Sequence, residues 1–212
     1  MKELGMSSAP IVYLVDDDPS VTKALARLFQ AAGLRFATFA SAQDFLDEPQ
    51  IENSSCLVLD LQLPDQSGLD LQKKLNDRSP GLSIVFISGH GDIPTAVEAM
   101  QAGAVNFLQK PFENRALLDA IQRALESQRQ FCAARQEKQE TASRLASLTP
   151  REREVFDLVA AGLANKLIAS NLDLSLQTIK LYRSRVMQKL ELKSVADLVR
   201  LAEKAGSDFS ET

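Results

Sequence analysis

The 212-residue chain has little histidine, little cysteine and no long apolar run, and each shortage narrows what it can be. No apolar stretch approaches the roughly 20 residues that a membrane-spanning helix needs. The N-terminus lacks a basic-then-apolar leader, so neither spanning nor export is expected. The two cysteines, Cys56 and Cys132, fall in different segments and form no metal-ligand spacing; a reducing cytoplasm is the expected compartment. His90 is the sole histidine. A lone imidazole can serve as general base or pH switch, but within Ser88-Gly89-His90-Gly91-Asp92 it reads as a helix-entry loop residue. Positive charge is short as well, since 24 Lys and Arg stand against 28 Asp and Glu for a net charge of −4. Taken whole, that balance speaks against a nucleic-acid partner.

The distribution of charge reverses this. Residues 1–126 carry a net −7, whereas residues 148–212 hold 10 basic against 9 acidic side chains. Within 175–193, Lys180, Arg183, Arg185, Lys189 and Lys193 face Glu191 alone. Basicity concentrated in one helix is what a groove-reading element needs. The length suits two modest domains, each able to bury a core.

Hydrophobic period and turn residues predict a strand at Ile11–Val15, a helix over about 20–32, a strand near Arg35–Phe39 and a short helix from Ser41. An apolar run Cys56–Leu59 then ends on Asp60, a helix begins near Gly68, and Ile84–Ile87 ends on Ser88. Thr95–Ala102 reads helical, and Val105–Leu108 precedes Lys110-Pro111. Strands alternating with helices imply crossover units and a parallel sheet buried on both faces. Five such units predict a doubly wound (βα)5 domain of strand order 2-1-3-4-5, with its ligand site at the carboxyl ends of the strands.

Asp16, Asp17, Asp60, Ser88 and Lys110 all sit at those ends. Crowded carboxylates raise one another's pKa unless a cation intervenes, and Mg²⁺ is the expected one because it prefers oxygen ligands and bridges carboxylates to phosphate. An aspartate nucleophile, a hydroxyl and an ammonium complete a site able to accept a phosphoryl group. Singly, each residue has a plainer reading. The Asp16-Asp17-Asp18-Pro19 run suits a strand-to-helix turn with an Asp cap and Pro in the first turn. A solvated lysine or a turn serine is common too. Joint placement at four strand ends is what the plain readings fail to explain.

The stretches IVYLVDDDPS, CLVLDLQLPDQSGLDLQ and IVFISGHGDIPTAVEAMQAGAVNFLQKPF resemble the receiver domain of bacterial two-component response regulators over about 125 residues. The resemblance implies that Asp60 accepts a phosphoryl group from a histidine kinase, and that Asp16, Asp17 and the Gln62 carbonyl join it in binding Mg²⁺. It also implies that Ser88 and Lys110 contact the phosphoryl oxygens, that Phe107 changes rotamer, and that a cis peptide precedes Pro111. Asp65 departs from a frequent Gly and adds a negative charge near the metal.

A helical pattern from Asn114 passes into a polar stretch, 128–144, without Gly or Pro. Its composition favours an extended helix holding the domains apart; a disordered tether is the alternative. Leu148-Thr149-Pro150-Arg151-Glu152 reads as staple, capping box and Pro at the first helical position. Helices follow from there, over Asn165–Leu172, over Leu176–Leu190 and from Ser194 to about Lys204. Helix, short turn and basic helix make a helix-turn-helix.

On the basic helix, Ile179, Val186 and Leu190 form the core stripe, with Tyr182 and Met187 at its edges. Gln177, Lys180, Leu181, Ser184, Arg185 and Gln188 lie opposite, an inventory that reads base edges, thymine methyls and phosphates. Arg183 fits a structural pairing or a phosphate contact. The segment LTPREREVFDLVAAGLANKLIASNLDLSLQTIKLYRSRVMQKL resembles the four-helix DNA-binding domain of NarL/FixJ, or LuxR-type, regulators. That likeness implies Lys180, Leu181 and Ser184 toward bases, and Lys166, Thr178, Arg185 and Lys189 toward the phosphate backbone. It also implies dimerisation through Leu201 and Ala205 of the last helix. Tyr182 and Asp173 replace a frequent His and Gly.

The reading is an α/β receiver over 1–126, a helical linker over 127–147 and an all-α DNA-binding domain over 148–212. Its expected partners are a cognate sensor kinase, double-stranded promoter DNA, a second copy when phosphorylated, and RNA polymerase. It is not an enzyme beyond slow release of its own phosphate. A Mg²⁺-dependent phosphohydrolase is a rival, since Asp16 and Asp18 have D-x-D spacing, but the short loops leave no room for a lid. A receiver acting by protein contact alone is another.

Overall fold

The computed structural model describes residues 10–48, 55–78, 81–89 and 92–206; His90 lies outside them. The chain alternates β1 (Ile11–Val15), α1 (Pro19–Ala31), β2 (Arg35–Phe39), α2 (Ala42–Leu46), β3 (Ser55–Asp60), α3 (Gly68–Arg78), β4 (Ser83–Ser88), α4 (Ile93–Gln101), β5 (Asn106–Gln109) and α5 (Asn114–Ala146). It continues with α6 (Pro150–Ala160), α7 (Asn165–Leu172), α8 (Leu176–Lys189) and α9 (Val195–Lys204). Two compact units, Met1–Ala133 and Ala134–Thr212, divide within α5.

In the first unit the strands form a five-stranded sheet of order β2-β1-β3-β4-β5, every pair parallel. The period-2 alternation of each strand divides its side chains between two cores. Tyr13, Val15, Leu57, Leu59, Ile84 and Phe86 pack on one face with Phe45, Leu71 and Ala99 of α2, α3 and α4. Val12, Leu14, Cys56, Val58, Val85 and Ile87 pack on the other with Phe29 of α1 and Leu117 and Ile121 of α5. Because helices cover both faces, β3 and β4 are buried along their whole length, and that is why they read as unbroken apolar runs. Each fully buried Leu, Ile or Phe contributes about 1.5–3 kcal/mol.

The second unit is helical. Thr149 and Glu152 make the capping box, with Pro150 in the first turn of α6. Ser175 caps α8 and Ser194 caps α9 through their side chains. Asp173 ends α7 in the left-handed region at φ 54°, a conformation that Asp tolerates better than most residues and Gly best. Val155, Phe156, Ile168, Ile179, Val186, Leu190, Leu198 and Ala202 form the core, joined by Leu145 from the end of α5. The stretch between the two cores is therefore helix rather than coil. No helix among the described residues is long and apolar enough to cross a membrane.

Candidate functional sites

Parallel strands place their carboxyl ends along one edge, and the backbone pairs past each end hold the following residues in line. The Asp16 N–H donates to the Phe39 carbonyl at 3.2 Å, that of Leu61 to Ile87 at 3.1 Å, and that of Lys110 to Ser88 at 2.7 Å. Asp16, Asp17 and Asp60 each bring a carboxylate oxygen into a group no more than 4.8 Å across. Asp16 and Asp60 are buried and Asp17 is exposed.

The Lys110 ammonium donates to Asp16 Oδ2 at 2.7 Å and to Asp60 Oδ2 at 3.0 Å. The Lys110–Pro111 peptide is cis, as the resemblance implied. Burial raises the Asp16 carboxyl above its usual range, and the hydrogen bonds from Lys110 and the Asp18 N–H offset this only in part. Burial alone would lower Lys110, but its hydrogen bonds to Asp16 and Asp60 outweigh burial and push it up. A buried Asp16 with two other carboxylates gathered within 4.8 Å suits a small cation. Three carboxylates with a nearby backbone carbonyl are the all-oxygen set that Mg²⁺ takes.

The loop after β3 closes on itself through a bridge between Gln62 and Ser67 and a 2.8 Å bond from the Gly68 N–H to the Leu61 carbonyl. Gly68 sits so tightly that a Cβ there would lie 2.5 Å from the Asp60 carbonyl oxygen. Ser88 is fully buried. Phe107 is partly buried and stacks on Phe86, with ring centroids 6.2 Å apart. The arrangement sets an ammonium against the Asp60 carboxylate, with the buried Ser88 at the end of the neighbouring strand. Asp18 stands apart, accepting from the Ser20 N–H at 2.7 Å as the cap of α1. It is thus committed to the helix, which removes the second acid of the D-x-D rival.

On α8, Gln177, Lys180, Leu181, Ser184, Arg185 and Gln188 are exposed, as is Lys166 on α7. Leu181 retains 50% of its surface in water. Thr178 is half-buried, its hydroxyl 2.8 Å from that of Ser175 at the cap. Arg183 donates to Asn165 Oδ1, so its role is the structural pairing.

The family described as response regulator receiver domain matches residues 12–122, and that of bacterial regulatory proteins, luxR family, matches 146–202. Nodulation protein W of Bradyrhizobium diazoefficiens is 44% identical over 210 residues, covering 97% of this chain and 91% of that one. The chain belongs to the two-component response regulators with a LuxR-type DNA-binding domain. Transcriptional regulatory protein FixJ of the same organism is 40% identical over 95% of this chain and 98% of its own. The solved structure of the response regulator StyR is 45% identical, with a TM-score of 0.84 over 93% of this chain and 100% of that one. This is a family of transcriptional regulators, not of catalysts.

Three residues singled out above meet partners of their own within the chain. Leu201 packs in its own core at 6% exposure, because Leu198, Leu201 and Ala202 share one helical stripe at i, i+3 and i+4. Ala205, at the end of α9, is exposed. Lys189 does not stand among the free cations of α8; its ammonium lies 2.6 Å from the buried Glu152 carboxylate. The Asp65 carboxylate accepts from the Gln43 N–H at 2.8 Å and that of Ala42 at 3.3 Å. A long-range partner of this kind leaves no local signal in sequence. The tight seat of Gly68 also went unread, although its place eight residues past the phosphoacceptor candidate was a usable sign.

Proposed function

We propose that Asp60 takes a phosphoryl group from the phosphohistidine of a cognate sensor kinase in the cytoplasm. In that state the regulator pairs with a second copy and binds promoter DNA. The observation that carries this reading is Lys110, drawn onto Asp16 and Asp60 at 2.7 and 3.0 Å in a pocket of three carboxylates. Asp16, Asp17, Asp60 and the Gln62 carbonyl would hold Mg²⁺, which when bound offsets the charge of the carboxylates and of the incoming phosphoryl oxygens. An Asp60 oxygen attacks phosphorus and the P–N bond breaks. The electron pair leaves with the imidazole nitrogen, and the product is an acyl phosphate.

That group adds about −1.5 to −2 charges at position 60. Lys110 and the Ser88 hydroxyl follow the new oxygens, drawing in the ends of β4 and β5, and Phe107 turns into the space left behind. An exposed stripe on α4 supports pairing beside these elements, with Ile93 81%, Val97 47% and Met100 46% open to water. The proposed division of labour is receiver 1–126, helical connection 127–147 and DNA-binding domain 148–212.

The DNA-binding domains of the pair would set α8 into successive major grooves. Lys180, Leu181 and Ser184 would face bases, with Lys166, Thr178 and Arg185 toward phosphates and Ala205 at the α9 contact. RNA polymerase is the further partner that promoter binding implies. Coupling of about 1–3 kcal/mol between receiver state and DNA affinity is enough for a several-fold to hundredfold change in occupancy. The test is Asp60→Asn, expected to abolish Mg²⁺-dependent phosphate incorporation and the gain in DNA binding that a phosphodonor brings. Retention of both by the variant would overturn the reading.

A further inference from the structure

The corner between β2 and α2 takes two hooks, one from Asp16 of the acidic pocket and one from the loop after β3. The Phe39 carbonyl accepts the Asp16 N–H at 3.2 Å. Three residues on, the Ala42 and Gln43 N–H groups donate to the Asp65 carboxylate at 3.3 and 2.8 Å. The corner itself is firm, because Ala42 and Phe45 are fully buried in the core. Asp65 lies at the tip of the loop that carries Gln62, while the base of that loop is tied to β4 by the Leu61 N–H and to α3 by Gly68. The tip thus gains a fastening across to the start of α2. Bonds of N–H groups to an ionised carboxylate are the strong kind. Partial burial works against Asp65, yet the Gln43 and Ala42 N–H groups hold its carboxyl below the usual range.

We infer that Asp65 is a positioning residue for the metal site, fixing the loop so that the Gln62 carbonyl stays in register with Asp16 and Asp17. The inference deepens the functional reading above and rests on it. The Asp65 charge is set on the first N–H groups of α2. Ser41 makes a useful contrast, since its hydroxyl accepts from the Asp44 N–H and caps the same helix from within its own segment.

The experiment compares the full chain with Asp65→Ala, Asp65→Asn and Ser41→Ala. Mg²⁺ affinity is measured by calorimetry, and amide hydrogen exchange over residues 61–67 is followed in metal-free protein. Outer partners of metal ligands commonly govern affinity 10–100-fold; acting at one further remove, Asp65→Ala should weaken Mg²⁺ about 3–10-fold and speed exchange in the loop. Asp65→Asn, which keeps one acceptor oxygen, should fall between, and Ser41→Ala should match the parent in both measurements. Equal affinity and exchange in Asp65→Ala and the parent would overturn the inference alone, as would an equal loss in Ser41→Ala. A parent chain that takes up no Mg²⁺ would overturn the functional reading and the inference with it.

Discussion

Asp16 and Asp18 lie two residues apart, and their carboxylates meet different partners: the Lys110 ammonium for one, the Ser20 N–H for the other. An aspartate-rich turn therefore supplies both a helix cap, at Asp18, and a buried carboxylate in the acidic group, at Asp16. Gly68 is a position where a single added atom would meet backbone. A methyl group there would press on backbone, 2.5 Å from the Asp60 carbonyl and 3.1 Å from the Leu61 Cα, and neither can yield as a flexible side chain would. Gly68→Ala should cost about 1–3 kcal/mol, as overpacking in a tight interior does, read as a lower urea midpoint. It should also slow phosphate incorporation at Asp60, because the displaced atoms belong to that residue's own backbone.

Elements were legible where one physical rule governed them. β3 and β4 read as strands because burial on both faces demands an unbroken apolar run, and α6 announced itself through Thr149, Pro150 and Glu152. What stayed hidden depended on partners far along the chain. Glu152 reads as half of a capping box, and the structure adds Lys189, 37 residues away, at 2.6 Å. The Lys189 hydrogen bond, then the Thr149 N–H, hold Glu152 below the usual glutamate range. A depressed carboxyl contributes stability above its unfolded pKa and loses it as pH falls through the folded value. The link between α6 and α8 should accordingly weaken below about pH 4. Glu152→Gln should cost about 1–3 kcal/mol at neutral pH, and the gap in urea midpoint between parent and variant should close on acidification. A gap that stays constant to pH 3 would refute the assignment. The place of Leu201 in the core is hidden for a related reason: α9 offers several apolar residues, and only the packed helix tells which of them share its inner stripe.

Across the whole molecule, charge is parted by function. The first 126 residues carry a net −7, fitting a pocket that gathers cations, while the exposed basic residues Lys180 and Arg185 stand on α8. Each phosphate contact contributes a slope of about −0.9 to the dependence of log affinity on log salt. Arg185→Ala should therefore lower the slope by about one contact, whereas Leu181→Ala should relax sequence preference with the slope intact. Lys189→Ala, its charge already matched by Glu152, should leave the slope unchanged. Anisotropy titrations of labelled duplex across salt concentrations separate the three.

The chain holds two tyrosines and no tryptophan, and the pair is shared out between the units. Tyr13 lies within 5.5 Å of the Phe45 ring in the sheet core, and Tyr182 packs at the edge of the helical core. Each half of the regulator thus carries a single intrinsic fluorophore, and Tyr182→Phe would leave a protein whose ultraviolet emission speaks for the receiver alone.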